Sequence, residues 1–351
     1  MTLGPCSAST VCLAPSRDHA NLIKPTPQKL AGLRSLLVGK PSKEIFRSYL
    51  QQPGSSLLQE AVLVTIHRKW STRPPYGLTE IGVTTYTRQQ VSGGLPCTLG
   101  PHAEELLQHV YCLHLRIRPH AHLASVNSHP EAYHFGTSVY VMPDEALELL
   151  HQIWHQPIDP MNPDEGYRPV ICLSYGDNEG IAQVGRANFD FIPTNITTTI
   201  AVIDAQALEV QAKITSSADV TLEYLLVIFK ITPFDAGNGG NATMYSTILA
   251  SLSTLREDIY GDSISNPRAR PGQKGPSASK PAQAVIQRLM EIPTLAPPFG
   301  VTTYCSRCSS FSHMHAECPS MDIVCSKCAR SNTMWRQRSV ATHTDGLCIY
   351  H

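Results

Sequence analysis

Six of the eleven cysteines of this 351-residue chain crowd into its last 47 residues, and their spacing is that of metal ligands. Cys305-x2-Cys308-x4-His313-x4-Cys318 offers three thiols and an imidazole within 14 residues. Soft and borderline donors of this kind close a tetrahedron around zinc. Cys325-x2-Cys328 followed by His343-x4-Cys348 offers the same set with a longer central loop. His315 is an alternative to His313, at a poorer spacing. A rival pairing also exists, because Cys305, Cys308, Cys325 and Cys328 fit a four-cysteine ribbon. Two sequential sites are preferred, since each joins neighbouring ligands and loses less loop-closure entropy. Eight ligands predict two zinc ions in closed, structural sites, with no open position for catalysis.

This ligand chemistry needs a reducing setting. Met1–Ala20 has no apolar stretch of signal-peptide length, and no run reaches the ~18 apolar residues of a membrane span. The expectation is an intracellular protein, nuclear or cytoplasmic, not secreted and without a membrane partner, in which clustered thiols hold metal rather than form disulfides. The sequons at Asn195 and Asn241 then read as ordinary loop chemistry. Lys+Arg 28 against Asp+Glu 28 leaves no net charge, so bulk polyelectrolyte binding is excluded and any charged partner must meet a local patch.

The elements that must position these residues come next. The leader, residues 1–56, is rich in Ser, Pro and Gly and predicts a mostly disordered segment with helical fragments near Gln28–Leu37 and Lys43–Gln51. Glu60–Ile66 is a continuous apolar run, as in a strand buried on both faces, and Thr79–Tyr86 and Tyr111–Arg118 supply two more strands. The period then changes. Pro143–Trp154 has proline and acids in its first turn and apolar residues at helical spacing, which predicts an amphipathic helix. Strands at Arg168–Ser174 and Thr198–Asp204 alternate with helices at Asn178–Val184, Ala205–Ala212, Thr221–Ile231 and Ala242–Asp258. The expected fold is α/β, a mixed sheet flanked by helices, plus a small C-terminal zinc-binding tail. Residues 260–297 form a basic, proline-rich linker with a short helix, and 298–351 the zinc-binding region.

The tail is similar to a CCHC-type zinc knuckle. Many knuckles grip single-stranded nucleic acid with an aromatic and basic residues, types supplied here by Arg307, Phe311, Lys327, Arg330, Trp335, Arg336 and Arg338. Ser309 and Ser312 stand where retroviral knuckles carry glycine. The alternative is a tail whose aromatics cover the zinc core and whose surface binds protein.

Between residues 57 and 259, five motifs occur in order: Thr79-Glu-Ile-Gly82, Phe135-Gly-Thr-Ser138, Pro169-Val-Ile171, Ile203-Asp-Ala205 and Ala236-Gly-Asn-Gly-Gly-Asn-Ala242. The series resembles the ribonuclease H-like fold of the DEDDh three-prime exonuclease superfamily, in particular a fungal, exonuclease-like Gfd-type branch. The resemblance implies two carboxylates at i and i+2 of the first strand and two later aspartates, together holding two metal ions that activate water. This chain has His67 and Lys69 at the first pair and Asn241 at the last aspartate, while the general base falls on Ala236 or Asp235. Only Asp177 and Glu179 remain as acids near the middle position. The reading is a degenerate domain without magnesium or manganese, whose His67, Arg68 and Lys69 attract phosphate, so that the chain binds nucleic acid, single-stranded RNA first. The alternatives are a protein-interaction scaffold and a weakly active metal-dependent three-prime exonuclease.

The histidines at 114, 120, 122, 129 and 134 are irregularly spaced and read as surface or satisfied polar groups. Tyr224 and Phe229 read as core, and Cys97, Cys112 and Cys172 lack ligand-spaced partners.

Overall fold

The computed structural model describes residues 27–51, 58, 60–72, 76–88, 103–123, 129, 131–175, 189–255, 282–291, 293–320 and 322–350. Helices α1 (Pro27–Leu37) and α2 (Ser42–Gln51) open the described chain. Both are docked, with Leu30, Leu33, Ile45, Phe46, Tyr49 and Leu50 buried in the main core. The Tyr49 hydroxyl donates to the Ala61 and Tyr86 carbonyls, 3.2 and 3.0 Å away, tying α2 to the sheet.

Strand β1 (Val62–Trp70) pairs antiparallel with β2 (Leu78–Thr87), which pairs antiparallel with β3 (Tyr111–Ile117). The one-turn helix α3 (Glu104–Leu107) precedes β3. Parallel additions complete the sheet: β4 (Ser138–Val141) beside β3, β7 (Val170–Ser174) beside β1, and β8 (Thr199–Asp204) beside β7. The order is β4-β3-β2-β1-β7-β8. Three antiparallel strands followed by parallel ones is the mixed sheet expected from the change of period. Between β4 and β7 lie helix α4 (Pro143–Trp154) and a two-stranded hairpin of β5 (Pro157–Asp159) and β6 (Asn162–Tyr167).

Because β-strand side chains alternate, the sheet has two interiors. Val62, Val64, Ile66, Ile81, Val83, Leu113, Leu115 and Ile117 face α4, whose Leu149, Leu150, Ile153 and Trp154 cover them. The other face carries Leu63, Tyr86, Cys112, Ile171, Leu173 and Ile203. It packs on α5 (Ala205–Gln211), α6 (Leu222–Ile228), α7 (Gly239–Thr254) and α8 (Ala282–Glu291). Helix α8, expected in the linker, buries Val285 and Ile286 in this core. Tyr224 corrects the sequence reading: α6 turns it outward at 56% exposure, and Leu222, Leu225 and Leu226 are the buried face.

Helix α7 is buried along all sixteen residues. Four of its hydroxyls are satisfied locally, with Thr243, Ser246, Thr247 and Ser251 each donating to the carbonyl four residues back. A Cβ on Gly82 would stand 2.1 Å from the Gly239 carbonyl, so bare backbone is required where α7 starts on β2. Asn241 lies within this buried first turn and not in a loop, which corrects the reading of its sequon. The expected helix at Asn178–Val184 and the greater part of the basic linker lie outside the described residues. No helix among the described residues is long and apolar enough to cross a membrane.

Candidate functional site

Among the described residues two places gather chemistry-bearing side chains, the tail and the sheet face beneath α7. In the tail the donor atoms of Cys305, Cys308, His313 and Cys318 lie within 4.8 Å of one another, and so do those of Cys325, Cys328, His343 and Cys348. Cys308 Sγ is 3.3 Å from His313 Nε2, Cys328 Sγ is 3.6 Å from His343 Nε2, and Cys328 Sγ is 3.8 Å from Cys348 Sγ. Zinc–sulfur bonds of about 2.3 Å and zinc–nitrogen bonds of about 2.0 Å give tetrahedron edges of about 3.8 and 3.5 Å. The donor sets therefore fit zinc, and the thiols are far outside the ~2.05 Å of a disulfide. Each cluster draws on neighbouring ligands, so the ribbon pairing is not the one the fold builds. The two Cys3His clusters can hold structural metal ions.

The clusters are also copies of each other, a relation the ligand spacing alone did not reveal. Each begins Cys-Ser-basic-Cys: Cys305-Ser306-Arg307-Cys308 and Cys325-Ser326-Lys327-Cys328. In each the ligand imidazole turns Nε2 to the thiols, while Nδ1 meets the hydroxyl of the preceding residue, Ser312 at 3.1 Å and Thr342 at 2.9 Å. Holding the distal nitrogen in this way fixes ring orientation. In each the serine between the first two cysteines bonds the residue two after the ligand histidine. Ser306 Oγ is 3.0 Å from His315 Nδ1, and Ser326 Oγ donates to Asp345 at 2.6 Å. His315 is thus occupied with Ser306, and His313 is the ligand-facing histidine. The signal lay in the paired Ser306/Ser326 and Ser312/Thr342. Asp345 is held down at about 2, first by the hydrogen bond from the Ser326 side chain.

The tail is docked on the sheet. Val301 and Tyr140 exchange two backbone hydrogen bonds of 2.7 and 3.1 Å, extending the β4 edge. Tyr304 packs on Tyr140 with ring centroids 5.3 Å apart. The ring of His343 lies 4.3 Å from that of His122, whose two nitrogens have no hydrogen-bond partner among the described residues. The Thr344 amide donates to the Arg307 carbonyl and joins the second cluster to the first. Of the basic and aromatic side chains expected to touch nucleic acid, Phe311, Lys327 and Arg330 are exposed and Arg307 is half-buried. Arg336 instead covers the Tyr350 ring, 4.9 Å from its centroid.

The second place is the α7 side of β1. Thr65 bonds Thr247 of α7 at 2.8 Å, so alternation puts His67 and Lys69 on the same face. They stand opposite Gly82 and Glu80 of β2. Arg68 points the other way and donates to the Phe191 carbonyl at 3.0 Å, so the strand does not bring it together with His67 and Lys69. Burial, then the neighbouring Lys69, push His67 down to about 3, so its imidazole is neutral and carries no charge for a phosphate.

Next to them Glu80, wholly buried, accepts from the Gly239 amide at 3.0 Å and is hydrogen-bonded to His114 Nε2 at 3.2 Å. His114 Nδ1 in turn lies 2.7 Å from Ser138 Oγ, so Glu80, His114 and Ser138 lock β2, β3, β4 and the start of α7 together. Asn241 is equally committed. Its amide nitrogen donates to the Ala132 and Asp235 carbonyls at 2.7 and 3.2 Å, and its oxygen accepts from the His134 amide at 3.1 Å. His129 pairs with Asp235 at 2.9 Å, and His120 with the Leu78 carbonyl at 2.7 Å. Asp177 and Glu179 lie outside the described residues, as does Cys97.

Residues 62–253, more than half of the chain, match the family described as DNA polymerase III subunit epsilon-like, C-terminal domain, of the DEDDh type. The chain belongs to this family. The match begins at the first residue of β1 and ends within α7, so the family domain spans the whole sheet. None of the curated proteins compared matches the chain. The expectation of a ribonuclease H-like, exonuclease-type α/β domain holds, and a domain of that family is suited to nucleic acid.

Proposed function

We propose that this chain is a Gfd-type, exonuclease-like protein that binds nucleic acid, single-stranded RNA first, and does not hydrolyse it by the two-metal route. The observation that carries this reading is the pair His67 and Lys69 at the i and i+2 places of β1, on the face that α7 covers. A lysine ammonium ~4 Å from a divalent ion is repelled by roughly 8 kcal/mol at an effective dielectric near 20. A neutral imidazole offers at most one ligand there. Asn241 has both ends of its amide engaged by backbone, which leaves nothing to replace the last aspartate. Lys69 then serves as a phosphate contact, while His67 contributes a neutral hydrogen-bonding ring.

The tail supplies the rest of the proposed surface. Its two zinc knuckles hold Lys327, Arg330 and Arg307 as cations and Phe311 as a stacking ring, in a reducing, intracellular setting that keeps the thiols available to zinc. Zinc here is structural, and its binding free energy is the folding free energy of the knuckles. A gel-shift series with His67→Ala combined with Lys69→Glu tests the face: RNA affinity is expected to fall several-fold, and unchanged affinity sinks the role of β1.

A further inference from the structure

We propose that the junction between the sheet and the first cluster is itself a single-stranded RNA site, in which the open face of Phe311 stacks a nucleobase and Arg118 takes the adjoining phosphate. This rests on the RNA-binding reading and names where one nucleotide sits.

Cations and rings form a continuous ladder across the junction. Arg116 lies over Tyr140 at 4.9 Å, Tyr140 meets Tyr304 at 5.3 Å, Tyr304 meets Phe311 at 5.6 Å, and Arg118 lies 6.0 Å from the Phe311 ring centre. The inner rings, Tyr140 and Tyr304, are buried at 2% and 3% exposure, whereas Phe311 at the outer end is 56% exposed. An aromatic held on one side and wet on the other needs little ordering to accept a base. Arg118 is likewise pre-positioned, since Glu145 accepts from one of its nitrogens at 2.8 Å and a guanidinium has five donors. Glu145 offsets part of its charge and leaves its other donors for the phosphate. The ladder joins residues of β3 and β4 to the tail, so the site exists only while the tail is docked. The ring of His343, from the second cluster, also packs on His122 and adds a second contact between tail and sheet.

The test uses the full, zinc-loaded chain and a fluorescent twelve-nucleotide oligouridylate, with zinc counted by native mass spectrometry in each variant. Phe311→Ala is expected to bind about tenfold more weakly, in line with one lost base stack. Arg118→Gln should bind several-fold more weakly, and Phe311→Trp like wild type. On the unaltered protein, a 5-bromouridine oligomer should crosslink at Phe311, a readout that needs no variant to fold. If wild type binds while Phe311→Ala and Arg118→Gln bind equally well, or the crosslinks map only elsewhere, the junction is not the site. Failure of wild type to bind any oligomer overturns the RNA reading on which the junction rests.

Discussion

Glu209 is the acid on which the fold leaves its clearest titration signature. It is buried between α5 and α7, with Ser253 donating to one oxygen and no partner for the other among the described residues, and burial pushes its carboxyl up to about 8. In the unfolded chain the group titrates near 4.3. Below that value both states hold the proton and Glu209 has no effect on stability. From there to about pH 8 the unfolded chain has released the proton and the folded one keeps it, so folding is progressively penalised as pH rises. The penalty levels off above 8 at a few kcal/mol, an order-of-magnitude figure. Glu209→Gln removes it. Thermal melts from pH 5 to 8.5 should show the Tm difference moving steadily in favour of the variant, and a pH-independent difference would contradict a neutral buried carboxyl. Gly82 makes a second prediction at this scale. A methyl group there meets the Gly239 carbonyl, so Gly82→Ala should cost more than ~2 kcal/mol in a urea melt or leave the protein insoluble. A variant as stable as wild type would mean that α7 can back away from β2.

At the scale of elements, the tail makes the sharpest prediction. Each cluster is a Cys3His set, so Cys308→Ser and Cys328→Ser should each leave one zinc by native mass spectrometry and the double variant none, whereas the ribbon pairing, in which both cysteines hold the same ion, leaves one zinc in the double variant. Removing metal with a chelator should unfold both knuckles, because zinc contributes on the order of 10 kcal/mol to such small units. It should also expose the β4 edge, read as faster amide exchange at Tyr140. Much of this was legible in the sequence, because ligand spacing is a local property. So was α4, which carries Pro143 at its first position and Glu145 reaching back to the Met142 amide at 2.7 Å. What escaped reading depended on distant partners. Strand β4 has four residues and is defined by pairing with β3 and Val301. Six of the nine residues of the hairpin β5–β6 are Pro, Asn, Asp or Glu, types poor in strand propensity. Helix α7 begins at Gly239, three residues before the helix expected from sequence, because glycines that weaken a helix in isolation are required where it crosses Gly82. The Glu80–His114–Ser138 lock joins three strands and has no linear signal.

At the scale of the molecule, a chain of zero net charge binds a polyanion only through the few cations its fold brings together. On the proposed function Lys69, Arg118, Arg307, Lys327 and Arg330 are such groups, so the logarithm of RNA affinity should fall with the logarithm of salt at a slope of roughly −3 to −4. A slope near −8 would require a far larger basic surface, and absence of binding at low salt would favour protein partners instead. The family of residues 62–253 gives the domain the architecture of an exonuclease, and the proposed function puts His67 and Lys69 of β1 at the places of its metal-binding carboxylates. The most direct test of that combination is a time course with end-labelled single-stranded RNA, in excess zinc-loaded protein, with magnesium and then manganese. RNA that is bound and stays full length is the expected result; shortening from the three-prime end that Asp177→Asn with Glu179→Gln abolishes would make the domain an active nuclease and overturn the proposed function.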